Sequence, residues 1–256
     1  MAVKHIYSQF ITMDMKKLML KAFLRPVYSY ISNNPDFKYS RYYLNIQDIL
    51  TYNERERMMK MAMYFSMVSN VEGDYLEFGC CSGNTFTAAY HLAQTHNLTN
   101  MTFYAFDSFE GLPSITGVDA EGFKHFQKGE FAYSKDEFQK TLIEGQVDIK
   151  KVKIIPGWYN ETLNDELKAQ LPLRKAAVIW VDCDLYESTV PVLKFITSYI
   201  QDGTIIIFDD WFAYRGDSNR GEQKACAEWL RQNSSIQLHE FYHSGLGKSF
   251  IISNKC

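Results

Sequence analysis

Two uniformly apolar runs constrain this chain more than any other feature: AAVIWV (Ala176 to Val181) and TIIIF (Thr204 to Phe208). Strands with no polar alternation belong in the middle of a parallel sheet, covered on both faces. Each run ends in acid. Asp182 follows the first, and Asp209 with Asp210 follows the second. The C-terminal ends of parallel strands form the rim where open α/β sheets take ligands. Three carboxylates gathered there repel one another unless a cation sits between them. An all-oxygen donor set suits a hard divalent ion such as Mg²⁺. Asp209 and Asp210 are neighbours, and neighbours on a strand face opposite ways. Both reach one ion only if the strand ends there and the chain turns.

The remaining pattern fits the same architecture. DYLEFG, MTFYAFD (Met101 to Asp107) and VKIIPG (Val152 to Gly157) are further strand candidates, with helical segments between them. Met58, Met61, Ala62, Phe65 and Val68 recur at helical spacing behind an Asn53/Glu56 cap, and the stripe reads as core. Ser134 and Glu137 repeat the capping pattern. A helix over 188–200 takes Pro191 in its first turn, where a missing N–H costs little. IQLHEFY and KSFIISN are close enough to form a hairpin at the sheet edge. The expected fold is α/β: a single doubly wound, seven-stranded, mostly parallel Rossmann-like sheet with a terminal antiparallel hairpin. Residues 53–256 form that domain, and residues 1–52 form an N-terminal helical appendage.

With 256 residues, 46% of them apolar, the chain can bury a large core; a net charge of −3 leaves no basic footprint for nucleic acid. Five cysteines with no C-x-x-C pair disfavour a zinc knuckle. The odd count and the lack of a secretory signal point to a reducing, cytoplasmic setting. No apolar run is long enough to span a bilayer. Residues 15–24 (MKKLMLKAFL) are basic and amphipathic, fitting either a helix packed across the domain edge or peripheral membrane contact.

The first strand enters Glu77-Phe78-Gly79-Cys80-Cys81-Ser82-Gly83. The G-x-x-x-G spacing lacks both the nicotinamide fingerprint and the P-loop lysine. Asp107, ending the second strand, is placed to accept hydrogen bonds from ribose hydroxyls. Gly79, Gly83 and Asp107 thus describe a nucleoside site without a phosphate cradle, which S-adenosylmethionine fits. Residues 113–132 are short of aliphatics and read as a loop or lid. His125 lies within it as a second candidate base.

The blocks LEFGCCSG, FDSFEGLP, FAYSKDEF, PGWYNETL, VDCDLYEST and GTIIIFDDW, in that order over roughly residues 54–230, resemble the macrocin-type sugar O-methyltransferases, class I S-adenosylmethionine-dependent enzymes. The resemblance implies a cofactor set of Glu77, Gly79, Gly83, Asp107 and Ser108. It also implies Mg²⁺ on Asp182, Asp209 and Asp210, and a lid over 114–133. Asp184 corresponds to the second acid of the D-x-D block and is not an expected ligand. Asp182 is the expected proton acceptor. The acceptor is a small molecule or glycan carrying a sugar hydroxyl, and homo-oligomer contacts are open. Cys80-Cys81 departs from the bulkier or basic residues common in that turn. Two alternatives remain at this point: a catechol-type metal-dependent O-methyltransferase, and a non-catalytic binding protein with the same fold.

Overall fold

The computed structural model describes residues 52–254. The chain divides into two compact units, Met1–Asn53 and Glu54–Cys256. The expected appendage over 1–52, including the amphipathic segment 15–24, lies outside the described residues except at its last position.

Seven strands form one sheet: β1 (Asp74–Phe78), β2 (Phe103–Asp107), β3 (Val152–Pro156), β4 (Ala176–Val181), β5 (Ile205–Phe208), β6 (Ile236–Ser244) and β7 (Gly247–Asn254). Their order is β3-β2-β1-β4-β5-β7-β6. The first five are parallel, and β7 enters antiparallel between β5 and β6. The chain runs outward from β1 to β3, then returns to place β4 on the other side of β1. That reversal opens a crevice at the strand C-termini.

Every residue of β4 and β5 is buried, as their composition requires. Each Val or Ile so covered contributes roughly 1.5–3 kcal/mol. Alternation divides the sheet faces. Leu76, Phe78, Ile179, Val181, Ile206 and Phe208 enter one core layer. It is covered by α6 (Tyr186–Ile196) and α7 (Gly221–Gln232). Tyr75, Glu77, Trp180 and Ile207 point to the other face. There α1 (Glu54–Val68) packs against β4, β5 and α2 (Asn84–Thr95). Three shorter α-helices complete the set among the described residues: α3 (Lys135–Glu144), α4 (Tyr159–Thr162) and α5 (Asp165–Gln170).

Register builds the rim. Phe106, Phe78, Val181 and Phe208 lie in one row across four parallel strands. The next residue of each chain is therefore Asp107, Gly79, Asp182 and Asp209, side by side. The ladder continues into this row: Gly79 N–H donates to Phe106 O, Asp182 N–H to Phe78 O and Asp209 N–H to Val181 O.

Two helices depart from expectation. In α1 the buried stripe is Met58, Met59, Ala62, Met63 and Ser66, while Val68 is exposed. The run of methionines leaves the phase ambiguous, and packing against α2 and the sheet chooses it. α6 starts at Tyr186, so Pro191 falls in its second turn. The early start has a tertiary cause: the Tyr186 N–H donates to the buried Asp119 carboxylate, 67 residues earlier. The capping box at Ser134 and Glu137 forms as expected.

Gly79 is the backbone position on which the rim most depends. Its φ is +90°, and a Cβ there would lie 1.8 Å from the Asp182 carbonyl oxygen. Gly79→Ala is expected to cost more than about 2 kcal/mol through strain and steric exclusion, read as a lower denaturation midpoint with an unchanged slope.

Candidate active site

A cavity of about 640 Å³ opens above the rim. Its floor includes Gly79, Asp107, Asp182, Asp184 and Asp210, and Arg55 stands at one side. His125, Phe126 and Phe131 come from the segment expected to be a lid, and Trp158 and Tyr159 from the β3–α4 junction. The size is ordinary for a small-molecule site.

The cofactor candidates separate by layer. Gly79, Asp107 and Ser108 line the cavity. Asp107 Oδ2 accepts the N–H groups of Cys80 (2.6 Å) and Cys81 (3.0 Å), and Oδ1 accepts that of Phe109 (2.7 Å). Burial raises its pKa against the effect of these three donors. A carboxylate offers about four acceptor positions, so capacity remains for a ligand hydroxyl. Ser108 Oγ donates to Gly111 O and accepts from Glu110 N–H, shaping the following turn. Gly83 sits off the cavity: its φ of +82° starts α2, and a Cβ would press on the Phe138 ring. Glu77 is fully buried on the α1 face. Its Oε2 accepts from the Tyr75 hydroxyl, and its Oε1 has no partner among the described residues. Burial pushes its pKa up to about 8. An orphaned buried carboxylate oxygen fits a ligand that brings a donor, such as an amino group.

The acids divide by strand alternation. β5 ends at Phe208 and the chain turns. Asp209 keeps the α1 face, where its carboxylate pairs with Arg55. Asp210 faces the other way. One carboxylate oxygen from each of Asp182, Asp184 and Asp210 lies within 4.8 Å of the others. Asp184 joins them through a left-handed backbone (φ 61°) that redirects its side chain. The structure thus brings Asp182 and Asp210 together as expected and adds Asp184. Asp209 is linked to the group through Arg55, whose Nη2 is also 3.7 Å from Asp182 Oδ2. This clustered all-oxygen donor set fits a hard divalent ion.

Electrostatics makes the same point. Burial, then Asp209, raises the Asp182 pKa; burial, then Asp210, raises that of Asp184. Asp210 is pushed up to about 6 by burial and by Asp209. Burial also raises Asp209, which Arg55 opposes.

Four residues that sequence patterns did not single out hold the site. Glu222, buried in the first turn of α7, accepts the Asp210 N–H at 3.0 Å and the Cys183 N–H at 3.5 Å. It therefore fastens both acid-bearing strand ends to one helix. Asp119 accepts the first N–H of α6 and that of Gly221 in α7. Arg220 donates to the carbonyls of Val118, Asp119 and Phe123. These contacts pin the segment over the cavity. The fourth, Arg55, is half exposed in the first turn of α1. An acid or base in a helix's first turn is too common a feature to mark any of them.

The sheet order, the glycine turn after β1 and the acid at the end of β2 define a class I methyltransferase fold. The macrocin-O-methyltransferase (TylF) family model matches residues 48–231, and the chain belongs to that family. Demethyldecarbamoylnovobiocin O-methyltransferase of Streptomyces niveus is 27% identical over 147 residues, 56% of this chain and 54% of that protein. A Streptomyces olivaceus enzyme, 8-demethyl-8-(2,3-dimethoxy-alpha-L-rhamnosyl)-tetracenomycin-C 4'-O-methyltransferase, is 28% identical over 149 residues, 57% and 55% of the two chains. The chain spans about half the length of the curated relatives it matches. The solved structure of the O-methyltransferase NovP superposes with a TM-score of 0.66 at 22% identity, covering 80% of this chain and 82% of that one. Among the described residues no helix is long and apolar enough to cross a membrane.

The pKa of Glu77 sets a direction for stability. Its folded value of about 8 lies above the ordinary 4.5. The folded protein therefore binds the extra proton between those values, and stability falls as pH rises through that window. Asp210 adds to the same slope up to about pH 6. Denaturant midpoints of the ion-free protein should fall from about pH 5 to about pH 8. Glu77→Gln, neutral throughout, should flatten the decline; an unchanged slope in the variant would contradict the assignment.

Proposed function

We propose that this protein transfers a methyl group from S-adenosylmethionine to a sugar hydroxyl of a glycan, nucleotide sugar or glycosylated natural product, with Mg²⁺ at the acid cluster. The observation that carries the reading is the meeting of Asp182, Asp184 and Asp210 at the cavity floor, beside the Gly79 turn and Asp107. A relative whose printed substrate carries a rhamnosyl group supports the acceptor class. The polar lid residues Lys124, His125, Gln127 and Lys128 support it too. The domain doing this work would be residues 53–256, and its setting the cytoplasm.

S-adenosylmethionine, when bound, supplies an activated methyl group on a sulfonium. A divalent cation, when bound, supplies positive charge that favours the deprotonated form of a nearby oxygen. The remaining work falls to the chain. Asp107 and Ser108 take the ribose side of the cleft. Glu77, buried two residues before Gly79 with an unpartnered Oε1, would take the amino-acid side. Asp182, Asp184 and Asp210 would hold the ion, and Asp209, now paired with Arg55, would join them only once that pairing is released. Asp182 accepts the hydroxyl proton: burial and its acidic neighbours raise its basicity. The pinned lid excludes water, and the rigid row of Gly79 and Asp182 aligns acceptor with donor.

Asp182→Asn should lower turnover at least about a hundredfold while leaving S-adenosylmethionine affinity nearly intact. Asp107→Ala should do the reverse, raising the cofactor dissociation constant about tenfold. Calorimetry and a methyl-transfer assay on nucleotide-linked sugars measure both effects. Chelation should abolish turnover and Mg²⁺ restore it. Asp182→Asn with parental activity would overturn the mechanism.

A further inference from the structure

Arg55 stands where the proposed function requires an ion. Its side chain leaves the first turn of α1, donates from Nη2 to Asp209 Oδ2, and lies 3.7 Å from Asp182 Oδ2. These are two of the three residues expected to ligate Mg²⁺. The two carboxylates are 6% and 16% exposed, whereas Arg55 is 52% exposed. The cation thus reaches in from the solvent side, on a long side chain that can leave by rotation about its own bonds. Burial works to lower the Arg55 pKa, but the charges of Asp182 and Asp209 override it and keep the guanidinium protonated. A guanidinium suits such a post because it is more weakly hydrated than an ammonium and presents several donors to carboxylate oxygens.

Resting on the reading that a divalent ion uses this cluster, we propose that Arg55 is the ion's resident competitor. It bridges Asp209 and Asp182 in the ion-free protein and swings toward solvent when the ion takes those carboxylates. Asp209 Oδ2 cannot serve both partners at hydrogen-bonding and ligating distance. Two positive centres within about 4 Å would also repel strongly in a partly buried site. The exchange resolves the geometry of the rim. Alternation sets Asp209 on the α1 face, Arg55 occupies its carboxylate there, and release of Arg55 frees that carboxylate for the ion. Ion affinity then equals the gross binding strength less the cost of displacing Arg55. The ion-free state is ordered instead of being a knot of unpaired acids.

The test compares full-length parent, Arg55→Gln and Arg55→Lys. Mn²⁺ binding is followed by electron paramagnetic resonance, and thermal unfolding is measured with and without Mg²⁺. Arg55→Gln should bind Mn²⁺ about tenfold more tightly. It should melt several degrees lower without ion and gain more from Mg²⁺ than the parent does. Arg55→Lys, which keeps the charge but loses the fork, should fall between the two; it still reports affinity if Arg55→Gln does not fold without ion. Equal or weaker Mn²⁺ affinity in a folded variant overturns the proposal. Tighter binding with unchanged ion-free stability also overturns it, since Arg55 would then be a bystander charge. If neither parent nor variant binds Mn²⁺, the ion reading itself fails and takes the exchange with it, an outcome distinct from equal binding.

Discussion

The fold turns on one electrostatic constraint: like charges are gathered where the sheet leaves them least water. Register alone puts Asp107, Asp182 and Asp209 in the row just beyond Phe106, Val181 and Phe208. Asp184, Asp210 and Glu222 lie close behind, and burial raises the pKa of each. A native structure tolerates such a cluster only through compensation by protons, donors or cations. All three devices are at hand. Raised pKa values ease protonation, backbone N–H groups serve Asp107 and Glu222, and Arg55 supplies positive charge to Asp209 and Asp182. The cluster therefore carries a standing demand for positive charge, which is what makes it a credible ion site.

Much of the frame was legible in the sequence because its signals are local. AAVIWV and TIIIF are too apolar to lie anywhere but mid-sheet, and all seven strands stand where the apolar segments placed them. The Ser134 box needs only residues 134 and 137. Signals that depend on distant residues were lost. Nothing near Tyr186 reveals that Asp119 caps it, so α6 begins before the expected residue and Pro191 sits deeper than its chemistry prefers. The phase of α1 could not be chosen among five closely spaced methionines without knowing what it packs against.

The site shows the same division. Asp182, Asp210, Gly79 and Asp107 converge because each ends or follows a strand, and strand ends are readable. The turn at Asp209-Asp210 was recognised as a difficulty, since alternation sends neighbours to opposite faces. What meets Asp209 on its own face was not readable: Arg55 arrives from a helix more than a hundred residues earlier in the chain. Asp184 enters through a left-handed backbone, a conformation that the apolar pattern around it does not signal. Glu222 is buried although it sits in a helix's first turn, where a solvated acid is the ordinary expectation.

The closeness of Gly79 to Asp182 joins the two halves of the proposed chemistry. A missing side chain lets the turn that would cradle the donor rest directly on the carbonyl of the residue that would hold the ion. Donor and acceptor sides are thus fixed by backbone contact between adjacent strands, and neither depends on a flexible side chain for its position. Alignment of that kind costs nothing at the moment of reaction, because folding has already supplied it. Arg55 belongs to a different class of part. It is long, half exposed and borne on a helix outside the sheet, so it can move while the row beneath it stays still. A rigid row with one mobile counter-charge is the arrangement expected of a site that must release and rebind a cation without losing its shape.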